Sequence, residues 1–485
     1  MRVSRPRYQA PPSAHNNRAV VIGGGLAGIA AAVRLIERRW QVCLIETRKR
    51  LGGRATSFTD PKTGQTLDNC QHVLMGCCTN LIDLYRRTGV DGKIEWSNKL
   101  YFAAPHVSEL SKPWVVEVLE ANDLPAPMHM TESLMAFGTL TLAEKVAIAR
   151  GLVAIARLGR HGSEELRNLD FLSWLKQGGQ PEGAIKKFWS IITVSALNEL
   201  PRLAAANYAM QVFQEGFLAN AEACLMGVAS VPLLNLYGPA GRLIADSGGQ
   251  LLLGAGAQRL VFENGRITAV ELADRTRIAG DVFVSAVPFD RLACLSDTDL
   301  CKADIRLRSL DRFKTSPIIG IHLWFDRPVM RTPHLILTTS PLQWLFNKGS
   351  DPAIGGFYLH GVISAAHDVI DIPARQIIEM VVAEVHKTLP GARVAKLLHS
   401  KVIKEKRATF SVRPGVDRLR PDTRGAIQNL YLAGDWCRTG WPATMEGAVR
   451  SGYLAAAAVL QDAHQSAEGL VPDLPRSQLY RAAFG

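Results

Sequence analysis

The feature that most constrains this chain is a glycine-rich block close to its beginning. Residues 19–22 form an apolar run of the kind found in buried parallel strands, and Gly23, Gly25 and Gly28 follow it. In a dinucleotide-binding turn the first glycine permits the sharp bend, the second lets the backbone approach a pyrophosphate, and the third lets the helix pack closely on the strand. The block therefore predicts a strand, a turn and a helix whose N-terminus holds a phosphate group.

A second strand and a second glycine pair extend this predicted site. Residues 42–46 form another apolar run, which ends in Glu46, roughly 20 residues after the glycines, where a carboxylate can bond ribose hydroxyls. Residues 52–54 then add two glycines and an arginine, a fixed cation that suits a permanently bound FAD better than a nicotinamide. The cofactor-binding candidates of this block are Gly23, Gly25, Leu26, Ala27, Gly28, Glu46, Thr47, Gly53, Arg54 and Ala55.

A second motif lies far along the chain. The apolar run 429–433 leads into Gly434 and Asp435, which places a carboxylate at the end of a strand, where ligands of open α/β sheets bind. We expect Asp435 to bond the ribityl chain or to approach the pyrophosphate. The helix that begins after Pro442 can direct free N–H groups at the pyrimidine edge of a flavin, and Glu446 is interpreted as its structural cap. The isoalloxazine-contact candidates here are Ala443, Thr444 and Met445.

These motifs resemble the flavin amine oxidase and phytoene desaturase superfamily. The resemblance implies an α/β fold in which a discontinuous, Rossmann-like FAD-binding domain carries an inserted α+β substrate-binding domain. It also implies that the backbone of Ala257 contacts the adenine and that Ala286 belongs to a strand of the FAD-binding domain. His72 and Val73 would lie on a segment that passes under the isoalloxazine ring.

Residues 68–81 carry a narrower resemblance, to the hydroxysqualene dehydroxylases, a squalene-associated FAD-dependent branch. The segments 284–288, 317–328 and 434–452 share this resemblance, which extends from Ala19 to about Asp462. It implies the reduction of hydroxysqualene to squalene with FADH2, in squalene and hopanoid biosynthesis. The substrate would be a hydrophobic isoprenoid, and an external electron donor would reduce the flavin.

That reaction needs an acid near the flavin and a pocket that stabilises an allylic cation. His72 and Asp68 are the catalytic candidates, because both stand on the segment under the ring and histidine titrates near neutral pH. Each has a structural alternative: His72 can bond the flavin or a backbone carbonyl, and Asp68 can cap a turn. Aromatic candidates for the wall of the pocket are Trp436, Trp441 and the pair Trp324-Phe325.

Two other functions stay open at this point. A carotenoid-type desaturase or a flavin amine oxidase would use the same cofactor in the oxidative direction. A lipid carrier could keep the fold without FAD, although the intact glycines, Arg54 and Asp435 argue against that interpretation.

The order of the motifs predicts how the chain is divided. The FAD-binding domain comprises residues 19–80, 238–300 and 411–465. A helical, substrate- or membrane-facing part occupies residues 81–237, and a sheet of the substrate domain occupies residues 301–410. Residues 1–18 form a basic tail without the apolar segment of a secretory signal, and residues 466–485 form a C-terminal tail.

The net charge of +12 favours an anionic partner. The basic residues lack the clustering with aromatic residues that nucleic-acid grooves show, so no nucleic acid is expected. Residues 142–160 place Lys145, Arg150, Arg157 and Arg160 among apolar residues, which suits a helix lying on a membrane surface or a core helix with a basic solvated face. We expect a cytoplasmic protein, peripheral on the cytoplasmic face of the bacterial inner membrane.

The eight cysteines show no pairing pattern and no metal-ligand spacing with histidine. The sequence therefore predicts reduced thiols and no metal site.

Overall fold

A computed structural model describes residues 17–105, 114–159 and 164–485. Most of the predicted basic tail, and Arg160 of the predicted basic helix, lie outside these residues. The strands of the described residues are, in chain order, β1 Arg18–Ile22, β2 Gln41–Glu46, β3 Ser57–Thr59, β4 Thr66–Asp68, β5 Val73–Met75, β6 Ile94–Ser97, β7 Lys99–Ala104, β8 Val115–Glu120, β9 Met226–Ala229, β10 Gln250–Leu253, β11 Ala257–Glu263, β12 Arg266–Leu272, β13 Arg277–Ala279, β14 Val282–Ser285, β15 Thr315–Phe325, β16 His334–Leu337, β17 Trp344–Asp351, β18 Gly356–Ile363, β19 Leu397–Phe410 and β20 Leu430–Leu432.

The helices are distributed between the strands. In chain order they are α1 Leu26–Ile36, α2 Thr79–Arg87, α3 Thr131–Ala136, α4 Leu142–Leu158, α5 Glu164–Asn168, α6 Phe171–Gln177, α7 Glu182–Ala184, α8 Ser190–Leu197, α9 Ala206–Phe213, α10 Leu234–Asp246, α11 Phe289–Leu295, α12 Thr298–Ala303, α13 Ala374–Thr388, α14 Met445–Asp462 and α15 Gln478–Phe484. Two π-helical turns, Ile185–Trp189 and Gln214–Leu218, interrupt the helical region. Of the helices in the described ranges, none is both long and apolar enough to cross a bilayer.

A parallel five-stranded sheet assembles three distant parts of the chain. Its strand order is β10-β2-β1-β14-β20, and every neighbouring pair is parallel. Helices α1 and α14 pack together beside this sheet, since Gly452 of α14 lies so close to α1 that an added Cβ would stand 2.2 Å from the carbonyl oxygen of Ala27. The arrangement is the discontinuous Rossmann-like architecture that the resemblance implies.

A seven-stranded sheet forms the second large layer. Its strand order is β19-β15-β18-β17-β16-β7-β8, and neighbouring strands are antiparallel except for β16 and β7. Strands β7 and β8 belong to the segment 81–237, which was predicted to be helical, so that prediction is wrong for this stretch. The reason is a period of two within β7, in which Leu100 and Phe102 both face the cavity described below.

Three smaller units complete the described fold. The antiparallel strands β11 and β12 form a hairpin with β13 beside them, and the turn residues Asn264 and Gly265 both have positive φ, as a two-residue hairpin turn requires. Strands β3 and β4 pair with each other, while β5 and β6 flank β9.

The end of the described chain is a strap and not a loose tail. We call residues 465–477 the C-terminal strap. Glu468 of the strap forms an ion pair at 2.5 Å with Arg34 of α1, and the N–H of Ser477 donates to the carbonyl of Ala219 at 3.0 Å. The strap therefore joins the FAD-binding sheet layer to the helical part.

Candidate functional site

One large cavity lies where the parallel sheet, the helical part and the seven-stranded sheet meet. Its volume is about 910 Å³. All the predicted cofactor-binding and catalytic residues line this cavity except Gly28 and Asp68; those on the wall are Gly23, Gly25, Leu26, Ala27, Glu46, Thr47, Gly53, Arg54, Ala55, His72, Val73, Ala257, Ala286, Gly434, Asp435, Ala443, Thr444 and Met445. Residues from opposite ends of the chain thus share one site.

The glycine turn has the geometry of a phosphate cradle. Gly23 has a φ of 106°, and a Cβ added to Gly28 would stand 1.8 Å from the carbonyl oxygen of Gly23, so Gly28 serves helix packing and not the cavity wall. Gly25 and Gly53 pack backbone against backbone, since the nearest atom to an added Cβ on Gly25 is the Cα of Gly53 at 3.7 Å. Both glycines also line the cavity, so a pyrophosphate can approach the backbone at the start of α1.

Glu46 stands at the end of β2, beside this cradle. Its Oε2 accepts a hydrogen bond from the N–H of Gly24 at 2.7 Å, and its Oε1 accepts one from the N–H of Arg48 at 2.8 Å. These bonds fix the carboxylate against the glycine turn. Each oxygen keeps a further lone pair, with which the group can accept ribose hydroxyls.

Arg54 and Asp435 bring the two sequence motifs together. The guanidinium of Arg54 donates to the carboxylate of Asp435 and, at 3.1 Å, to the carbonyl of Ala408. The Asp435 side chain is 6% exposed and that of Arg54 is 33% exposed, so the pair stands at the boundary between the cavity and solvent. A charge-assisted pair of this kind holds both groups in a fixed geometry next to the cradle.

The second motif starts α14 at the cavity wall. The Oγ1 of Thr444 accepts a hydrogen bond from the N–H of Gly447 at 3.0 Å and so caps the helix. Glu446 does not cap its own helix: its carboxylate accepts from the N–H groups of Asn80 and Leu81, in the first turn of α2, at 3.2 and 2.8 Å. Glu446 is a helix cap, as interpreted from the sequence, but it caps α2 and not its own helix, α14.

The two catalytic candidates differ in position. His72 lines the cavity, and its Nδ1 lies 2.9 Å from the carbonyl oxygen of Cys70. Burial lowers the pKa of His72 below its ordinary value, so the ring is mainly neutral at pH 7. Asp68 is not on the cavity wall; its Oδ1 accepts from the hydroxyl of Ser57 at 2.6 Å and from the N–H of Leu233 at 3.0 Å. The catalytic assignment of Asp68 is therefore replaced by the capping role.

The wall beyond the FAD motifs is mainly apolar. Trp344 and Phe346 of β17 stack in parallel with ring centroids 5.3 Å apart, and the indole N–H of Trp344 donates to the hydroxyl of Ser195 at 2.7 Å. Sequence reasoning missed these residues, although an aromatic residue at every second position of a strand is a signal for a shared face. Other residues of this wall are Leu100, Phe102, Ile191, Ile192, Val212, Phe217, Ile318, Ile336 and Val362.

Of the predicted aromatic candidates, Trp436 and Trp441 line the cavity. Trp324 and Phe325 do not, and that assignment is corrected: Trp324 stacks on Tyr358 with ring centroids 4.6 Å apart, and Phe325 is buried in the core of the seven-stranded sheet. The side chains of β15 alternate between faces, so membership of a strand does not itself place a ring in the cavity.

A buried histidine pair lies behind the segment that carries His72. The rings of His322 on β15 and His360 on β18 stack with centroids 4.2 Å apart, and the Nδ1 of His322 lies 2.5 Å from the hydroxyl of Tyr358. Burial, reinforced by the charge of Lys348 nearby, lowers the pKa of His322 to about 3. Burial also lowers the pKa of His360 well below its ordinary value. Both rings are therefore neutral in the folded protein at neutral pH.

Comparison with known proteins identifies the family. Residues 26–460 match the model of the flavin-containing amine oxidoreductases. The chain is 28% identical over 464 residues to the 15-cis-phytoene desaturase of Synechococcus elongatus, covering 91% of this chain and 96% of the relative. It is 27% identical over 447 residues to the hydroxysqualene dehydroxylase of Sinorhizobium fredii, covering 91% and 98%.

A solved structure shows the same fold. The cyclohexylamine oxidase of Brevibacterium oxydans superimposes with a TM-score of 0.68 at 16% identity, covering 93% of this chain and all of that one. The glycine cradle, the Arg54–Asp435 pair and the helix starts agree with the cofactor that the matched family contains. The chain belongs to the flavin-containing amine oxidoreductases and is an FAD-dependent oxidoreductase.

Proposed function

We propose that the protein reduces hydroxysqualene to squalene with FADH2. The observation that carries the proposal is the composition of the cavity, in which an apolar, aromatic-lined wall meets a small polar group of side chains beside the FAD motifs. A long isoprenoid chain fits the apolar wall, and the polar group can bind its one hydroxyl. The similarity to the hydroxysqualene dehydroxylase over 98% of that protein's length supports the same substrate.

The chemistry sets a clear demand on these residues. Reduced FAD supplies a hydride when bound; the protein must protonate the leaving hydroxyl and stabilise the allylic cation. The π faces of Trp344 and Phe346 are suited to the cation. The apolar wall excludes water, which would otherwise trap the cation as an alcohol.

The test is a single turnover without oxygen. Photoreduced protein is mixed with hydroxysqualene, and the absorbance of oxidised flavin is followed while products are extracted. We expect flavin oxidation with an equal amount of squalene. A flavin that stays reduced in the presence of hydroxysqualene would contradict the proposal.

A second candidate function is a phytoene-type desaturase, because the similarity to the Synechococcus elongatus enzyme is equally extensive. Oxidised protein mixed with phytoene under the same conditions tests it. Bleaching of the flavin together with a new double bond in the product would favour this second function. A purified protein without flavin absorbance would instead favour the lipid carrier.

We also propose that α4 attaches the protein to an anionic membrane. The side chains of Leu142 and Val146 are 67% and 51% exposed, and Arg150 and Arg157 are exposed on the same helix. The acidic Glu144 points inward and pairs with Lys187 at 3.4 Å. The helix therefore presents apolar and basic side chains outward, the combination that binds anionic lipid surfaces.

Flotation with vesicles that contain phosphatidylglycerol tests this attachment. The double variant Leu142→Ser/Val146→Ser should lose vesicle binding, whereas Ile305→Ser, which removes an exposed apolar residue elsewhere, should keep it. Binding should also weaken as salt rises. Equal flotation of all three proteins would contradict the proposal.

A further inference from the structure

Five carboxylates line the cavity in the described residues, and three of them have positions explained by the fold. Glu46 is bonded to the glycine turn, Asp435 to Arg54, and Glu446 to the start of α2. The remaining two are Glu215 and Glu405, neither of which belongs to a sequence motif. Either could supply an acid to a bound substrate.

Glu405 is hydrogen-bonded to the part of the cavity wall that carries the FAD motifs. It stands on β19, and its Oε1 accepts a hydrogen bond from the side-chain amide of Asn69 at 2.9 Å. The same amide donates at 2.7 Å to the backbone carbonyl of Arg54. Asn69 is also the first residue of the segment that leads to His72, so Glu405 and His72 lie on the same part of the wall.

Glu215 has a different setting. It belongs to the π-helical turn Gln214–Leu218 of the helical part, next to Phe217. Gln214 of this turn is anchored to the end of α4 through the carbonyl of Ile155. Glu405 is connected to Arg54 of the Arg54–Asp435 pair through the Asn69 amide, which bonds both the Glu405 carboxylate and the backbone carbonyl of Arg54.

We propose that Glu405 is the catalytic acid of this site and the counter-ion of the allylic cation. The proposal rests on the proposed reduction of hydroxysqualene. The Glu405 carboxyl group passes a proton from solvent to the substrate hydroxyl; the carbon–oxygen bond breaks and water leaves. Reduced flavin, when bound, would supply the hydride for the new carbon–hydrogen bond and thereby the two electrons that reduce the allylic carbon.

Two physical arguments favour Glu405 over His72 for this step. The Nδ1 of His72 lies 2.9 Å from the carbonyl oxygen of Cys70, so the backbone already occupies one of the two ring nitrogens. A carboxylic acid becomes an anion when it gives up its proton, and that anion then faces the cation across an apolar cavity, where Coulomb attraction is stronger than in water. His72 is left to hydrogen-bond the hydroxyl or the flavin.

The first test measures binding and needs no turnover. An isoprenoid tertiary amine of squalene-like length, which is a cation at neutral pH, imitates the allylic cation. We expect Glu405→Gln to weaken binding of the amine at least about 30-fold while squalene binding changes less than about 2-fold. Glu405→Asp, which keeps the charge, should restore most of the amine affinity. Unchanged amine affinity in Glu405→Gln would overturn the proposal.

The second test is the single turnover with hydroxysqualene, with flavin content and melting temperature as folding controls. Glu405→Gln should lower the rate at least about 100-fold, a typical contribution of a general acid. Full activity in Glu405→Gln with loss of activity in Glu215→Gln would overturn the proposal and assign the acid to Glu215. If wild type does not convert hydroxysqualene but Glu405→Gln binds the amine more weakly than wild type, the proposed function is wrong, whereas the cation-binding role of Glu405 is supported. If Glu405→Gln does not fold, Glu405→Ala is measured in its place, and an amine affinity equal to that of wild type would overturn the proposal.

Discussion

The two ends of the cavity are built by different rules. The FAD end consists of glycines and a charge pair, in which Gly25 and Gly53 face each other and Arg54 holds Asp435. The other end consists of side chains such as Ile191 and Trp344, contributed by helices and by the seven-stranded sheet. Backbone geometry restricts the residues of the first end, whereas size and apolarity restrict those of the second. One cofactor site can therefore accompany many substrates.

The largest expected effect comes from substitutions at two glycines of the FAD end, Gly28, which packs α1, and Gly25, which lines the cradle. Gly28→Ala should abolish soluble folded protein, because its Cβ would stand 1.8 Å from the carbonyl oxygen of Gly23. Gly25→Ala has room for its Cβ and should fold, but it should lose FAD because the methyl group occupies the pyrophosphate cradle. Soluble yield, circular dichroism and flavin content measure the difference. A folded, yellow Gly28→Ala protein would show that the cradle tolerates movement.

The next largest effect is expected from the loss of the Arg54–Asp435 ion pair. Asp435→Asn removes the partner of Arg54 and is expected to weaken FAD binding roughly 10- to 100-fold, with a modest loss of stability because Arg54 is one-third exposed. Fluorescence of released FAD during dilution measures the affinity. Asp290→Asn, which removes an exposed ion pair with Arg407, serves as the control. Equal FAD retention in both variants would mean that the cradle alone holds the cofactor.

The buried histidine pair, His322 and His360, predicts that the free energy of unfolding decreases at acidic pH. Because the pKa of His322 falls to about 3 on folding, the unfolded chain binds a proton between about pH 6.5 and 3 that the folded chain does not. Stability is thus fully present above pH 6.5 and falls by up to about 1.4 kcal/mol per pH unit for this group as pH decreases. Urea unfolding at several pH values should show that the free energy of unfolding depends less on pH in His322→Gln than in wild type, with a substitution of the exposed His464, His464→Gln, as the control.

The smallest effect concerns the substrate end alone. Trp344→Phe keeps an aromatic face but removes the hydrogen bond to Ser195, a loss of about 1 kcal/mol that should leave FAD content unchanged. Ser195→Ala should give a similar loss, and the double variant should add little to either one. Chemical denaturation and flavin absorbance report the two quantities separately. A parallel loss of FAD would show that the two ends are not independent.

The same contrast explains how much the sequence could predict. The residues of the FAD end belong to short motifs with a backbone requirement, so the cavity wall contains nearly all of them. Gly28 and Asp68 stand off the wall because one serves helix packing and the other caps α10, roles that a motif does not distinguish from contact. Glu405 escaped prediction because its position depends on the pairing of β19 with β15, which is distant in the chain. Trp344 carried a local signal, the alternation of aromatic residues along β17.

The predicted helical part, residues 81–237, shows the same limit of prediction from sequence. Strands β7 and β8 of this part escaped prediction because β7 joins the large sheet through a pairing of Phe102 with Ile336, far apart in the chain, and β8 joins it only through β7. Local apolar spacing reports the period of an element, and it does not report which partner completes a sheet.

The C-terminal strap follows in the chain every element that it joins. Domains form progressively during synthesis, N-terminal parts first, so α1, α2 and the helical part are present before Glu468 and Ser477 leave the ribosome. Asp435 and α14, which complete the FAD end, also precede the strap. Because its contacts reach both α1 and Ala219 of the helical part, the strap can fasten these two layers only after both have formed.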